Sequence, residues 1–167
     1  MNSQQSLIID AKSARMPRQT NLRHLVNSFA DFHLNYNWLL TDVEADFGPF
    51  QGASFSRATI KYFSGAELSK LAFQFPEGLI AWGVLTALPL TLKIDFAKMP
   101  VKPMADAAAA FWDGSPAIQF PGAVAEVVAW DSSFTILVSK DPELTAAFAS
   151  YYPEAAPGMS LEGRRAA

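Results

Sequence analysis

The chain of 167 residues contains no cysteine. This absence excludes a disulfide framework, thiol catalysis and metal sites built on thiolates. Charge is also scarce, because only 17% of the residues are Asp, Glu, Lys or Arg and the formal net charge at pH 7 is -3. A mild negative charge does not attract nucleic acid or anionic lipid, so we expect neither a nucleic-acid partner nor a membrane partner.

Long hydrophobic runs are missing as well. The longest apolar stretch covers residues 78–92, is interrupted by Pro89 and is too short to cross a bilayer as a helix. Near the N-terminus only Leu7, Ile8 and Ile9 are strongly apolar in succession, which is shorter than the apolar region of a signal peptide. The sequence therefore predicts a cytoplasmic protein.

What the chain has in abundance is apolar residues, which make up half of the sequence. At this length they can form a core without a metal or disulfide to stabilise it. We expect a single α+β domain over residues 1–167, with residues 1–18 and 155–167 loosely ordered. The residue pattern predicts a mainly antiparallel sheet of about five or six strands, with about three helices packed on one face.

Local signals place most of these elements. The predicted helices run from Asn21 to Phe32 behind Thr20, from a capping box formed by Ser64 and Glu67, and from Pro142 behind Asp141. Four consecutive alanines favour a further short helix at residues 104–112. Alternating apolar residues predict two hairpins, which pair Tyr36–Phe47 with Phe55–Phe63 and Ala123–Trp130 with Ser133–Ser139. We expect the last helix to cover the sheet near the second hairpin.

Three carboxylates, those of Asp42, Glu44 and Asp46, fall on one face of the first predicted strand at a spacing of about 7 Å. In a hairpin of a single register they lie opposite three residues of the next strand, Lys61, Thr59 and Arg57 respectively. We favour this solvated charge ladder as their role. Two alternatives remain open: a surface for a basic partner, and a divalent-cation site that supports metal-dependent hydrolysis.

No catalytic pattern accompanies these acids. The serines at 115, 132 and 133 lack the G-x-S-x-G elbow, and no glycine-rich nucleotide loop is present. The two histidines, His24 and His33, are nine residues apart, which matches no ligand spacing on a helix. We therefore predict no catalytic residue, no metal site and no cofactor, and favour a non-enzymatic protein over an enzyme.

Apart from the short helix at residues 104–112, the proline-rich stretch at residues 91–122 is the least regular part of the chain. We favour a satellite apolar cluster beneath a long loop as the role of Trp112. Two alternatives remain open for the stretch: a lid or partner surface anchored by Trp112, and a small-molecule pocket beneath residues 100–121. After the next strand, Asp131 begins a turn in which its carboxylate accepts backbone N–H groups.

Two segments, YNWLLTD at Tyr36–Asp42 and AEVVAWDSSFTILVSKDPEL at Ala125–Leu144, resemble small bacterial proteins of the polymorphic-toxin immunity type. The resemblance implies a cytoplasmic protein that acts by binding a protein partner, such as a cognate toxin that it blocks. It carries over no catalytic residue. The predicted partner-binding residues are Asp42, Glu44, Asp46, Trp112 and Asp131.

Overall fold

The computed structural model describes residues 4–10, 20–51, 60–106, 116–131 and 134–157. In this part of the chain eight strands form one antiparallel sheet with α-helices packed against it, which confirms the predicted α+β class. The strands are β1 (Gln5–Asp10), β2 (Thr20–Asn21), β3 (Tyr36–Ala45), β4 (Lys61–Ser64), β5 (Leu79–Pro89), β6 (Ala125–Trp130), β7 (Phe134–Ser139) and β8 (Ala156–Pro157). The α-helices are α1 (Leu22–Ser28), α2 (Gly65–Gln74) and α3 (Pro142–Tyr151), and 3₁₀ helices cover Ala30–Asn35, Gly48–Phe50 and Phe96–Lys98.

The strand order across the sheet is β4-β3-β5-β6-β7-β1-β8, and β2 pairs with the beginning of β5. Strand β3 pairs with β4 and β6 pairs with β7, as predicted. Most of the predicted strand Phe55–Phe63 lies outside the described residues, and β4 covers Lys61–Ser64. Helix α3 follows β7 and packs on β7 and β1, as predicted for the last helix. None of the helices in the described ranges has the length and apolar character needed to cross a membrane.

One side of the sheet, which we call the helix side, carries the larger core. Four strands that are neighbours in the sheet, β3, β5, β6 and β7, point side chains to it, namely Leu40, Leu85, Val127 and Leu137. They belong to one cluster with apolar residues of all three α-helices, among them Leu25, Val26, Leu68, Leu144 and Phe148. The predicted packing of the helices on one face is therefore confirmed.

The helix starts show which local signals were sufficient. At α2 the capping box is complete, because the Ser64 hydroxyl accepts the Glu67 N–H and the Glu67 carboxylate accepts the Ser64 N–H. Asp141 caps α3 through Oδ1, and its Oδ2 accepts the O–H of Tyr36 at the start of β3. Helix α1 differs from the prediction, because Asn21 rather than Thr20 is its cap and it ends at Ser28.

The opposite side of the sheet, the segment side, is covered by irregular chain. We call residues 90–106 and 116–124 the covering segment. Phe120 and Ala123 pack there with Leu39 and Leu88, and Ala105 packs with residues of the neighbouring strands. The central strands are consequently buried on both faces. The helix predicted at residues 104–112 falls largely outside the described residues, and Met104–Asp106 is not helical.

Strand β1 is the main departure from the predicted fold. Residues 1–18 were expected to be loosely ordered, but Gln5–Asp10 pairs with β7 on one edge and with β8 on the other. Ile8 belongs to the segment-side core and Ile9 to the helix-side core, each 1% exposed. A strand buried on both faces reads as a short continuous apolar run, so an alternating pattern could not reveal it. The expectation is also wrong for Ala156–Pro157, which forms β8.

Candidate functional site

Asp42 lies in a β-bulge of β3. The register shifts at this point, so that Asp42 and Val43 together oppose Gly83 of β5. Asp42 has a φ of 55°, the left-handed conformation that the first residue of a G1 bulge adopts. Its side chain is 1% exposed, and Oδ2 accepts the N–H of Ala105 at 2.7 Å. The prediction that Asp42 lies on a partner surface is therefore wrong, because its carboxylate holds the covering segment.

The predicted charge ladder is also wrong where it can be checked. In the observed register Lys61 lies opposite Leu40 instead of Asp42. Arg57 and Thr59 lie outside the described residues. The prediction assumed a regular strand to Phe47, whereas β3 contains a bulge at Asp42 and ends at Ala45. Because the connection between the two strands is long, it does not fix their register, which is set by the burial of apolar side chains. The observed register differs from the predicted one by two residues, and such a shift keeps each side chain on the same face of the sheet.

The remaining predicted partner residues have different surroundings. Glu44 is half-buried opposite Trp82, whereas Asp46 is exposed just beyond the end of β3. Asp131 is exposed in the turn after β6, with a φ of 46°. Trp112 lies outside the described residues. Within the ranges that the structure covers, no group of three His, Asp or Glu side chains is arranged to hold a metal ion.

The two histidines connect helices. His33 is 3% exposed, its Nδ1 donates to the carbonyl of Ala30 at 2.8 Å, and its Nε2 lies 2.5 Å from the hydroxyl of Ser69 on α2. Burial lowers the pKa of His33, so the neutral ring accepts the O–H of Ser69. His24 Nδ1 lies 2.8 Å from the hydroxyl of Tyr151 on α3. Both rings therefore have a structural role: His24 joins α1 to α3, and His33 joins the 3₁₀ helix at Ala30–Asn35 to α2.

Glu126, the second residue of β6, carries a fully buried carboxyl group that the sequence pattern did not predict. Its Oε2 accepts the N–H of Gln119 at 2.9 Å, and its Oε1 accepts the N–H of Phe120 at 2.8 Å. Burial raises the pKa of Glu126 to about 7, although these two N–H groups and Lys140 favour the ionised form. A single acid within the apolar run AEVVAW was the signal that could have revealed it.

Other polar contacts complete the attachment of the covering segment. The Thr41 hydroxyl donates to the carbonyl of Pro103 at 2.6 Å. The Gln119 side chain accepts the N–H of Met104 at 3.0 Å and donates to its carbonyl at 3.1 Å, so it joins the two parts of the segment. Gln4, just before β1, donates to the carbonyl of Pro116 at 2.7 Å. Side chains at or beside the sheet thus satisfy backbone groups that have no strand partner.

A cavity of about 250 Å³ lies where the two ends of the covering segment meet. Two hydrogen-bonded turns form its walls: the N–H of Leu92 donates to the carbonyl of Pro89, and the N–H of Ala123 donates to that of Phe120. Five of its lining residues are apolar (Leu92, Ile94, Pro100, Phe120 and Pro121), and the other three are Lys93, Asp95 and Lys98. The lining residues come from both ends of the proline-rich stretch at residues 91–122. A pocket beneath part of this stretch was one of the alternatives that the sequence left open.

The outer surface of the segment side is rich in exposed apolar side chains. Among the described residues nine large hydrophobic side chains are exposed, and six of them lie on the covering segment or at β4: Ile60, Tyr62, Leu90, Phe96, Val101 and Met104. Tyr62 and Phe96 form an edge-on aromatic pair with ring centroids 5.6 Å apart. We call Tyr62 and Phe96 the aromatic patch. Exposed aromatic side chains that contact each other, as Tyr62 and Phe96 do, are typical of interaction surfaces.

No protein family, no curated protein and no solved structure matches this chain.

Proposed function

We propose that this chain is a non-enzymatic binding protein of the bacterial cytoplasm that recognises another protein and acts as an immunity-type inhibitor of a toxin. The observation that carries the binding role is the aromatic patch. The immunity-type role rests on the resemblance of the segments at Tyr36–Asp42 and Ala125–Leu144, and so do the bacterial source and the compartment.

The aromatic patch has the composition of a protein-binding surface. Tyr62 is 38% exposed and Phe96 is 47% exposed, although each ring already packs on the other. Aromatic anchors dominate the binding energy of protein interfaces, because they bury much apolar area with little loss of side-chain freedom. A partner that covers both rings would gain this energy without rearranging the sheet.

The predicted acidic contacts keep a smaller part in this proposal. Asp46 and Asp131 are exposed and can meet a basic partner at the rim of an interface, where charge affects the association rate more than the affinity. Asp42 is excluded from that role by its burial.

The binding test uses the full chain as bait in an extract of its source bacterium. Tyr62→Asp combined with Phe96→Asp places charge on the aromatic patch, whereas Phe73→Asp alters an exposed ring on α2, on the helix side. We expect the wild type and Phe73→Asp to retain the same protein and the double variant to retain at least about tenfold less of it. Circular dichroism and thermal melting check that each variant is folded.

The inhibitor role is tested by expressing the products of neighbouring genes in a bacterial host, with and without this chain. We expect one product to arrest growth and the wild-type chain to restore it, while the double variant restores it poorly. The absence of a toxic neighbour, together with a bait that retains no protein, would refute the proposed function. Equal retention by the double variant would refute the aromatic patch as its site.

A further inference from the structure

We propose that the cavity between the ends of the covering segment is a binding site for a small organic carboxylate with an apolar body. This proposal does not depend on a protein partner, because the described lining residues all belong to one chain.

The walls of the cavity are fixed by the fold. The turn after β5 and the turn before β6 stand side by side because Ala87 and Ala125 are paired in the sheet. Phe120, which is 4% exposed, contributes to the wall and is held by its N–H bond to Glu126. Gly122 has a φ of 82° and lies close to Leu92, so the second turn is packed against the first. Because the walls are already in place, ligand binding carries no entropic cost of ordering them.

The charge at the cavity favours an anion. Lys93 and Lys98 are both exposed, whereas the single acid, Asp95, uses its Oδ1 to accept the N–H of Ala97 at 3.0 Å. The local charge is therefore positive in a chain whose net charge is -3. Lysine ammonium groups on flexible side chains can reach a carboxylate held at the cavity mouth.

The size and lining define the rest of the ligand. A volume of about 250 Å³ lies below the range of about 300 to 1,000 Å³ that is typical of sites for drug-sized molecules. The apolar lining, provided by Leu92, Ile94, Phe120 and the two prolines, suits one ring or a short branched chain. A molecule of this kind places its apolar body against Phe120 and its carboxylate near the lysines.

The test is a titration of the ¹⁵N-labelled full chain, followed by NMR, with phenylacetate, 2-phenylethanol and 2-phenylethylamine. These probes share a similar apolar body and differ in charge. We expect phenylacetate to shift the amide signals of Leu92, Ile94 and Phe120 saturably, with a dissociation constant on the order of 1 mM for a ligand of about ten non-hydrogen atoms. The alcohol and the amine should bind at least about fivefold more weakly.

Charge reversal gives the matched comparison. Lys93→Glu combined with Lys98→Glu should weaken phenylacetate binding about tenfold, while Lys70→Glu, at an exposed position on α2, should leave it unchanged. Three results would each overturn the proposal: no saturable shift, equal affinity for the three probes, or full affinity in the double variant. The proposed protein-binding function could survive any of them, since its variants alter Tyr62 and Phe96.

Discussion

At the scale of single residues, two buried carboxyl groups connect the sheet to the covering segment. Asp42 accepts one backbone N–H and Glu126 accepts two, all from residues that have no strand partner of their own. A buried N–H left without an acceptor would cost about 1–3 kcal/mol, so these contacts offset a penalty that irregular chain over a core would otherwise carry. Their cost is the burial of the carboxyl group itself, which is seen in the raised pKa of Glu126.

The pH dependence of stability follows from Glu126. Its pKa of about 7 in the folded chain lies above the usual value of 4.5, so the folded state binds this proton more tightly than the unfolded state does. The resulting stabilisation is complete below pH 4.5 and is lost as the pH rises through 7. The total change in the free energy of unfolding across this pH range is about 3 kcal/mol.

Glu126→Gln removes the titration and keeps the size of the side chain. We expect the wild type to gain stability relative to this variant when the pH falls from 8 to 5, as measured by urea unfolding at each pH. Taking the difference between the two proteins cancels the titration of all other groups. A difference that is constant with pH, or that has the opposite sign, would show that Glu126 does not titrate in this range.

At the scale of secondary-structure elements, the start of α2 is packed against the 3₁₀ helix at Ala30–Asn35. Gly65, the first residue of α2, allows this approach, since a Cβ there would lie 2.4 Å from the carbonyl oxygen of His33 and 2.7 Å from the Cα of Leu34. Both are backbone atoms, so they cannot turn aside as a flexible side chain could. The bond between His33 and Ser69 holds the same two elements together.

Gly65→Ala should therefore destabilise the fold by about 2 kcal/mol, because the added methyl group overpacks this contact. In an ordinary helix the same change stabilises by about 0.4–1 kcal/mol, so the sign of the effect tests the packing. The measurement is the free energy of unfolding in urea, with Lys70→Ala on the exposed face of α2 as the control. A stabilised Gly65→Ala protein would contradict the close approach.

The sequence predicted those elements whose signals are local. The Ser64–Glu67 capping box, the Asp141–Pro142 helix start and the hairpin of β6 and β7 are encoded by residues that are neighbours in the chain. The covering segment could not be predicted, because its acceptors Asp42 and Glu126 lie on two different strands. The role of Asp42 was missed for a further reason: its bulge interrupts the alternation on which the prediction rested.

At the scale of the whole molecule, the sheet separates two unlike layers, the helices and the covering segment. Strand β1 contributes to both layers, since Ile8 points to one core and Ile9 to the other. It also lies between β7 and β8, and so brings residues near the two ends of the chain together. The first strand is thus an integral part of the fold.

Ile8→Ala and Ile9→Ala should each lower the free energy of unfolding by about 2–5 kcal/mol, because each removes a fully packed side chain from a core. Gln5→Ala, at an exposed position of the same strand, should change it by less than about 0.5 kcal/mol. Thermal or urea unfolding of the three variants provides the comparison. Wild-type stability in both isoleucine variants would mean that the N-terminal residues are loosely attached after all.

The two hydrogen-bonding tasks of Asp141 limit which residues can replace it in this fold. At most helix starts Ser, Thr, Asn and Asp are nearly interchangeable, because one side-chain oxygen is sufficient. Here Oδ1 serves α3 while Oδ2 receives the Tyr36 O–H, which is 105 positions away in the sequence. A serine could cap the helix but could not also accept the Tyr36 O–H. Substitution at this position is therefore limited to residues with two side-chain acceptors. This limit is imposed by a tyrosine from a distant part of the chain.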